Sequence, residues 1–370
     1  MLRFLKTACI ASTLWFGGLT DLAALELNTS QGALKLTKVV EGFDVPWGFA
    51  FLPTGEVLVT DREGELFLVE GNKKSRIRGL PQVAAVGQGG LLDVLVPRDF
   101  PETREILLTL SRADGRGAGT ALISATLSAD LKSMTASRLL LQVPGVDGGR
   151  HFGSRIREAT DGSIFMTLGD RGDRDSAQNL ASLHGSVLRI NRDGSPFRGN
   201  PFLKHSDVAP EIWSFGHRNP QGLAIDGAGQ IWAVEHGARG GDEVNRIQKG
   251  ANFGWPVIAY GRNYSGTKIG IGTSKSGMEQ PAFYWDPSIA PSGMMIYSGK
   301  LWPEWKGDMF IGSLKFDYIS RLEGSPLREE EQLRHAVTGR IRDIREAPDG
   351  SIWFATEYEG ALYKITPNGS

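Results

Sequence analysis

One cysteine, Cys9, occurs in 370 residues, and it lies within the first ten. The rest of the chain is therefore without disulfides, Cys-ligated zinc or a thiol nucleophile, and must be held by its own core, with hard cations as a further brace. Charge of one sign is also missing: 41 Lys and Arg stand against 42 Asp and Glu, interspersed along the chain. That balance excludes the basic footprint of a nucleic-acid binder or of a protein that docks on an anionic membrane, and leaves a small molecule as the expected partner. No apolar run is long enough to be read as a membrane span. Long stretches of helix formers are scarce as well. Glycine (48), proline (18) and tryptophan (9) are plentiful instead, the composition of many short strands joined by tight turns.

Met1 to about Ala24 has a short basic start (Arg3, Lys6), an apolar run from Ala8 to Leu19 and then Leu22-Ala23-Ala24. This fits a secretory signal peptide, although Asp21 is unusual so near a cleavage point. The mature chain, about 345 residues from position 25 to 370, is expected to work in the periplasm as one large closed β domain.

A unit recurs along it. Pro53-Thr54-Gly55-Glu56 precedes Val57–Thr60, Thr160-Asp161-Gly162-Ser163 precedes Ile164–Thr167, Gly227-Ala228-Gly229-Gln230 precedes Ile231–Val234, and Pro348-Asp349-Gly350-Ser351 precedes Ile352–Ala355. Each is a glycine turn followed by an apolar strand. Weaker copies at Arg104–Thr109 and Gly307–Gly312 bring the number to six. Six such repeats predict an all-β fold, a six-bladed β-propeller of four-stranded antiparallel blades, in which radial repetition protects the strand edges and leaves a central channel. The early strand Ala33-Leu34-Lys35-Leu36 is expected to pair with the last blade and close the ring. A two-sheet sandwich is the alternative, but its strands would not carry this repeated signature. The long stretches 171–228 and 236–307 are expected to include loops on one face.

Gly148-Gly149-Arg150-His151-Phe152-Gly153 sets a histidine in a glycine-rich turn before an apolar strand, and Leu168-Gly169-Asp170 closes the strand's far end. Glycines on both sides permit positive φ and let a flat ligand lie close to the main chain, while Asp170 is placed to fix the imidazole tautomer. The pair reads either as a general base with its orienting carboxylate or as a surface turn whose histidine caps a strand. Phe215-Gly216-His217-Arg218-Asn219-Pro220-Gln221-Gly222 gathers a guanidinium and two amides around a proline turn. Arginine pairs bidentately with carboxylates, and Asn and Gln donate to carboxylate or quinone oxygens. Read alone, the segment is equally a surface arginine beside a turn.

Lys315 stands near the end of an apolar strand, and Arg340-Ile341-Arg342 puts two cations on one face of an extended segment, since strand side chains alternate. These cations converge on one anion, or else the two arginines are solvated partners of Asp343 and Glu346. Glu235-His236-Gly237-Ala238-Arg239-Gly240-Gly241-Asp242-Glu243, followed by Asn252-Phe253-Gly254-Trp255-Pro256, offers glycine-exposed carbonyls and Glu243, the hard oxygen donors calcium takes. It lacks the regular carboxylate spacing of an EF-hand and is otherwise an acidic turn.

Taken in order, Val45-Pro46-Trp47-Gly48, Gly87-Gln88-Gly89-Gly90-Leu91-Leu92-Asp93, the His151 turn, Leu168-Gly169-Asp170, Gly216–Gly222, Glu235–Trp255, Lys315 and Arg340-Ile341-Arg342 resemble the soluble quinoprotein sugar dehydrogenases, aldose dehydrogenases that use pyrroloquinoline quinone (PQQ). The resemblance runs over nearly the whole mature chain. It implies that His151 takes the proton of the anomeric hydroxyl while hydride passes to the quinone. Asp170 would orient that histidine, and Arg218 would stabilise negative charge on the reduced ring. Gln88, Asn219, Gln221, Tyr264, Lys315, Arg340 and Arg342 match positions that bind the cofactor. One calcium would sit on the carbonyls of Gly237 and Ala238 as a Lewis acid, and another on Glu243 and the carbonyl of Phe253.

The blade loops look shorter than in the dimeric glucose-specific members and closer to the monomeric, broad-range aldose branch, so a monomer is expected. The electron acceptor is not named by the sequence. Two other readings stand beside this one: a calcium-dependent lactone hydrolase on a six-bladed propeller, and a non-catalytic propeller that binds a ligand on its loop face. The excess of cations favours an anionic cofactor over the first, and the bracketing of one strand by His151 and Asp170 has no purpose in the second.

Overall fold

In the computed structural model, which describes residues 25–369, six antiparallel sheets are arranged around a central axis. The expected leader, residues 1–24, lies outside the described residues. The first blade comprises Pro46–Phe51, Val57–Asp61, Glu65–Glu70 and Lys73–Arg76, and the second Leu91–Leu95, Glu105–Ala113, Ala118–Leu127 and Met134–Gln142. The third runs through Ile156–Glu158, Ile164–Thr167, Ser186–Ile190 and Ile212–Phe215, and the fourth through Pro220–Ile225, Ile231–Glu235, Asp242–Ile247 and Phe283–Trp285. Pro291–Ile296, Met309–Ser313, Ile319–Glu323 and Arg328–Leu333 make the fifth. The sixth is assembled from both ends of the chain: Ile341–Glu346, Ile352–Thr356 and Ala361–Pro367 are completed by Gly32–Glu41, with Leu25–Thr29 as an additional fifth strand outside it. The expected closure is thus observed, with Leu34 opposite Pro367 and Leu36 opposite Ile365.

The first strand of each blade touches the first strands of its neighbours, from Pro46–Phe51 round to Ile341–Glu346 and back, so these six strands line the channel. All six repeats read from the sequence are second strands. Such a strand has its own sheet on both edges and neighbouring blades on both faces, which is why Val57–Asp61 and Ile352–Thr356 read as nearly unbroken apolar runs rather than as alternation. The core lies between blades: Leu58 and Leu68 of the first pack with Leu91, Leu108 and Ile123 of the second, and Val234 of the fourth with Met294 and Ile311 of the fifth. The turns repeat for a local reason. Asp161 Oδ1 accepts the Ser163 N–H at 3.1 Å while Gly162 takes φ 82°, and Asp349 holds Ser351 N–H at 2.9 Å around Gly350 at φ 89°.

The stretches 171–228 and 236–307 hold blade strands as well as loops: Ser186–Ile190 and Ile212–Phe215 lie in the one, Asp242–Ile247 and Phe283–Trp285 in the other. The longer loops within them are narrower, 171–185, 191–211 and 248–282. No helix among the described residues is long and apolar enough to cross a membrane.

Candidate active site

Antiparallel pairing brings the start of every first strand and the end of every second strand to the same face of the ring. Gln88, His151, Arg218-Asn219, Ala290 and Arg340 all stand just before first strands, and Asp61, Asp170, Glu235, Leu314 and Glu357 at or just after the ends of second strands. This topology, rather than any local propensity, assembles the site.

His151 has a left-handed backbone, φ 56°. Its N–H donates to Gln88 Oε1 at 2.7 Å, and its Nδ1 lies 2.6 Å from Asp170 Oδ1. Asp170 also accepts the Gly172 N–H at 2.7 Å and, on its other oxygen, the Trp255 indole N–H at 2.8 Å. Burial would raise the Asp170 pKa, but the bond to His151, the charge of that ring, Gly172 and Trp255 together bring it below the usual carboxylate range. It is an ionised acceptor, so Nδ1 carries the hydrogen and Nε2 the lone pair. Burial lowers the His151 pKa; the bond to Asp170 opposes this and the charge of Arg218 adds to it. The ring is neutral at pH 7, as a base must be.

Arg218 is 7% exposed. Its N–H donates to Glu235 Oε2 at 2.6 Å and its guanidinium to the His236 carbonyl at 3.3 Å, 5.3 Å from the centre of the Trp255 ring. Trp255 thus touches both the partner of the base and the cation. Asn219 Oδ1 accepts from Gly153 N–H at 3.2 Å and from Gln221 Nε2 at 3.1 Å. Gln221 in turn accepts from Arg342 at 3.3 Å. Beneath them Arg155, fully buried, donates to the carbonyls of Gln221 (2.6 Å) and Arg342 (2.9 Å) and pairs with Asp343 at 3.1 Å.

Gln88, Asn219, Gln221, Arg340 and Arg342 line one central cavity, together with Trp47, Arg62, Phe152 and His236. Arg340 and Arg342 both pair with Glu357, Arg342 through Nε at 2.5 Å. Two guanidiniums on one carboxylate leave the wall cationic. Burial would raise the Glu357 pKa, but Arg342 and Arg340 bring it below its usual value.

The two arginines therefore share a carboxylate, though not by strand alternation. Arg340 precedes its strand in a left-handed turn, φ 50°, with its N–H held by Asp317. Nor are Asp343 and Glu346 their partners: Asp343 is bound by Arg155 and Arg345, and Glu346 by Ser298. Lys315 and Tyr264 do not line the central cavity. Both are exposed and line a wider opening with Arg239, Arg262 and Ser288, which shares Ala238 and Ala290 with the inner walls.

Gly237, Ala238, Glu243 and Phe253 face a second hollow that also includes Arg218, Glu235 and Trp255. Asn245 bridges Glu235 (3.0 Å) and Glu243 (3.2 Å). Burial and the neighbouring Glu235 charge push the Glu243 pKa up to about 8. Paired buried carboxylates of this kind are relieved by a cation. Among the described residues no three His, Cys, Asp or Glu side chains converge as a metal cluster, so a cation here would rest on carboxylate and main-chain oxygens, a calcium donor set.

Glu357, Arg62 and Arg155 were not singled out from sequence. A signal for Glu357 exists: Asp61, Asp170, Glu235 and Glu357 each close or follow the second strand of a blade.

A profile of the Glucose / Sorbosone dehydrogenase family matches residues 43–364. The chain belongs to the glucose/sorbosone dehydrogenase family. Within it, the chain is 39% identical over 370 residues to aldose sugar dehydrogenase YliI of Escherichia coli K12, covering 97% of this chain and 96% of that protein. The apo crystal structure of the soluble aldose sugar dehydrogenase of E. coli superimposes with a TM-score of 0.86 at 40% identity, over 90% of this chain and all of that one. The PQQ-bound aldose sugar dehydrogenase of Streptomyces coelicolor gives 0.74 at 25% identity, over 90% and 98%.

Proposed function

We propose that this member of the glucose/sorbosone dehydrogenase family is a periplasmic, PQQ- and calcium-dependent aldose dehydrogenase that oxidises C1 of the sugar to the lactone and passes the electrons to a separate acceptor. The observation that carries this reading is the His151–Asp170 pair, 2.6 Å apart, beside a cavity whose wall holds two guanidiniums on one carboxylate. An anionic, flat cofactor suits that wall, and the names of its relatives point to the same chemistry. Gln88, Asn219, Arg340 and Arg342 would hold the quinone, with Lys315 and Tyr264 at the mouth and Gln221 fixing Arg342 from below. Gly237, Ala238, Glu243 and Phe253 would hold calcium. When bound, the quinone supplies a two-electron hydride acceptor and calcium the Lewis acid that polarises it.

The chain's own residues supply the rest. His151 Nε2 accepts the proton of the anomeric hydroxyl, and Asp170 stabilises the imidazolium that forms. Arg218, fixed through Glu235 and His236, sets a positive charge where negative charge accumulates. Trp255 keeps Asp170 and Arg218 in register. Residues 1–24 would direct the chain to the periplasm as a signal peptide, and the domain from 25 to 370 would act as a monomer. Apoprotein supplied with PQQ and calcium should show dye-linked oxidation of aldoses that is lost in His151→Ala. Absence of any absorbance change on adding the quinone would sink the reading.

A further inference from the structure

Arg171 follows directly on Asp170 and has φ 56°. Its side chain, 4% exposed, turns back beneath the His151 turn. There it donates to the carbonyls of Gly148 at 3.1 Å and Ala118 at 3.0 Å, and to that of Arg150. The guanidinium carbon lies 3.4 Å from the centre of the Phe152 ring, and Phe152 is part of the central cavity's wall.

The main chain of this turn is held almost residue by residue. Gly149 O accepts the Gln88 N–H at 2.6 Å and Phe152 O the Thr120 hydroxyl at 3.0 Å, while Arg171 holds the carbonyls on either side of Gly149. A histidine in the left-handed region persists only where its surroundings over-determine the backbone. Among the described residues Arg171 is the single side chain that grips this turn at more than one carbonyl, and it does so with a planar fork suited to several acceptors at once.

Its partners are neutral oxygens and a ring. Burial lowers its pKa to about 10, with Asp170 opposing, so it remains charged at neutral pH. Nε is buried without a hydrogen-bond partner. A buried charge without a carboxylate in direct contact is a costly way to fill space, and an apolar side chain would pack there with less penalty. What the guanidinium adds is directional restraint of the turn.

We propose that Arg171 is a positioning residue for the base: it clamps the Gly148–Phe152 turn so that His151 meets Asp170 through Nδ1 and turns Nε2 to the cavity. This rests on His151 being the base. Adjacent residues then divide the task, Asp170 setting the tautomer of the ring and Arg171 the backbone that carries it.

Arg171→Met and Arg171→Lys, in the full chain with PQQ and calcium, test the proposal by kcat, KM for glucose, quinone titration by absorbance, and amide hydrogen exchange of residues 148–153 without cofactor. In Arg171→Met, kcat should fall by about 10- to 100-fold, the loss expected when a reacting group is displaced by about 1 Å. KM and quinone affinity should stay within roughly threefold, and exchange should quicken in 148–153 but not in the blade strands. Arg171→Lys, which keeps the charge without the fork, should lie between. The proposal is overturned by a kcat within twofold of wild type, by a loss that follows weakened quinone binding, or by unchanged exchange. If the Met variant does not fold, the Lys variant decides on the same measurements. A wild type that oxidises no aldose removes the dehydrogenase reading instead, and the exchange arm still tests the clamp.

Discussion

His151 and His217 each hold a carboxylate through Nδ1, at 2.6 Å from Asp170 and 2.8 Å from Glu235. The difference lies at the other nitrogen. Nε2 of His217 is bound by Ser214 at 2.9 Å, its ring stacks on Phe253, and its side chain is fully buried. The His151 side chain is 12% exposed, and among the described residues no group hydrogen-bonds to its Nε2. The same dyad is therefore sealed in one place and open in the other. His236 completes the series: Nε2 faces the Pro291 carbonyl at 2.7 Å, and burial, reinforced by Arg218, lowers its pKa to about 3. A histidine becomes a candidate base here when one nitrogen is oriented and the other left free.

The contrast can be broken most directly by exchanging each histidine for alanine. His151→Ala should lower kcat roughly 10²- to 10⁴-fold with quinone binding retained. His217→Ala should keep turnover within about tenfold and instead cost about 1–3 kcal/mol of stability, since it removes the partner of the buried Ser214 hydroxyl and one of the donors to Glu235; equal losses of turnover would remove the distinction. Next in size is Asp170→Asn, expected to lower kcat by roughly 10²-fold because the imidazolium loses its stabilising charge.

The pH dependence sharpens the same point. The base works deprotonated, so activity should rise with pH through the His151 pKa, at a midpoint below the ordinary histidine value of 6.5 because burial lowers it. Asp170 acts upward on that pKa, so the Asn variant should move the acid limb to still lower pH.

A smaller effect is expected at the calcium hollow. At calcium 100-fold above its Kd, the wild type should gain about 2.7 kcal/mol, seen as a raised Tm, and Glu243→Gln should lose most of that gain. The smallest concerns Lys315. Exposed at the outer mouth, it should contribute at most about 1 kcal/mol, so Lys315→Ala should weaken quinone binding no more than about fivefold, whereas Arg342→Ala should weaken it far more.

The second strands were legible because burial on both faces makes them largely apolar, and glycine turns, Asp-Gly at 161–162 and 349–350, announce most of them. First strands were less so: Pro220–Ile225 and Pro291–Ile296 begin with proline and carry glycine and a polar residue within the strand. Of the site, the His151 turn could be read because its glycines and Asp170 lie close in sequence, although the two bracket a hairpin, Ile156–Glu158 with Ile164–Thr167, and not the single strand expected. Glu357 could not be read as the partner of Arg340 and Arg342, because that pairing depends on a turn between two strands and on a left-handed residue at 340. Alternation misled there for the same reason: a strand rule was applied to a residue outside the strand. The clamp by Arg171 was hidden more deeply, since its acceptors are main-chain carbonyls that leave no mark on side-chain composition.

The sixth blade needs both ends of the chain, with Gly32–Glu41 laid against Ala361–Pro367. During synthesis the early strand can pair only with Leu25–Thr29; its partner within the blade emerges some 320 residues later, a contact of very high sequence separation. Arg340, Arg342 and Glu357 belong to that same blade. Ring closure and completion of the cationic wall thus both come late, and a chain truncated before residue 340 would hold the His151 half of the site while lacking both the clasp and the wall that faces it.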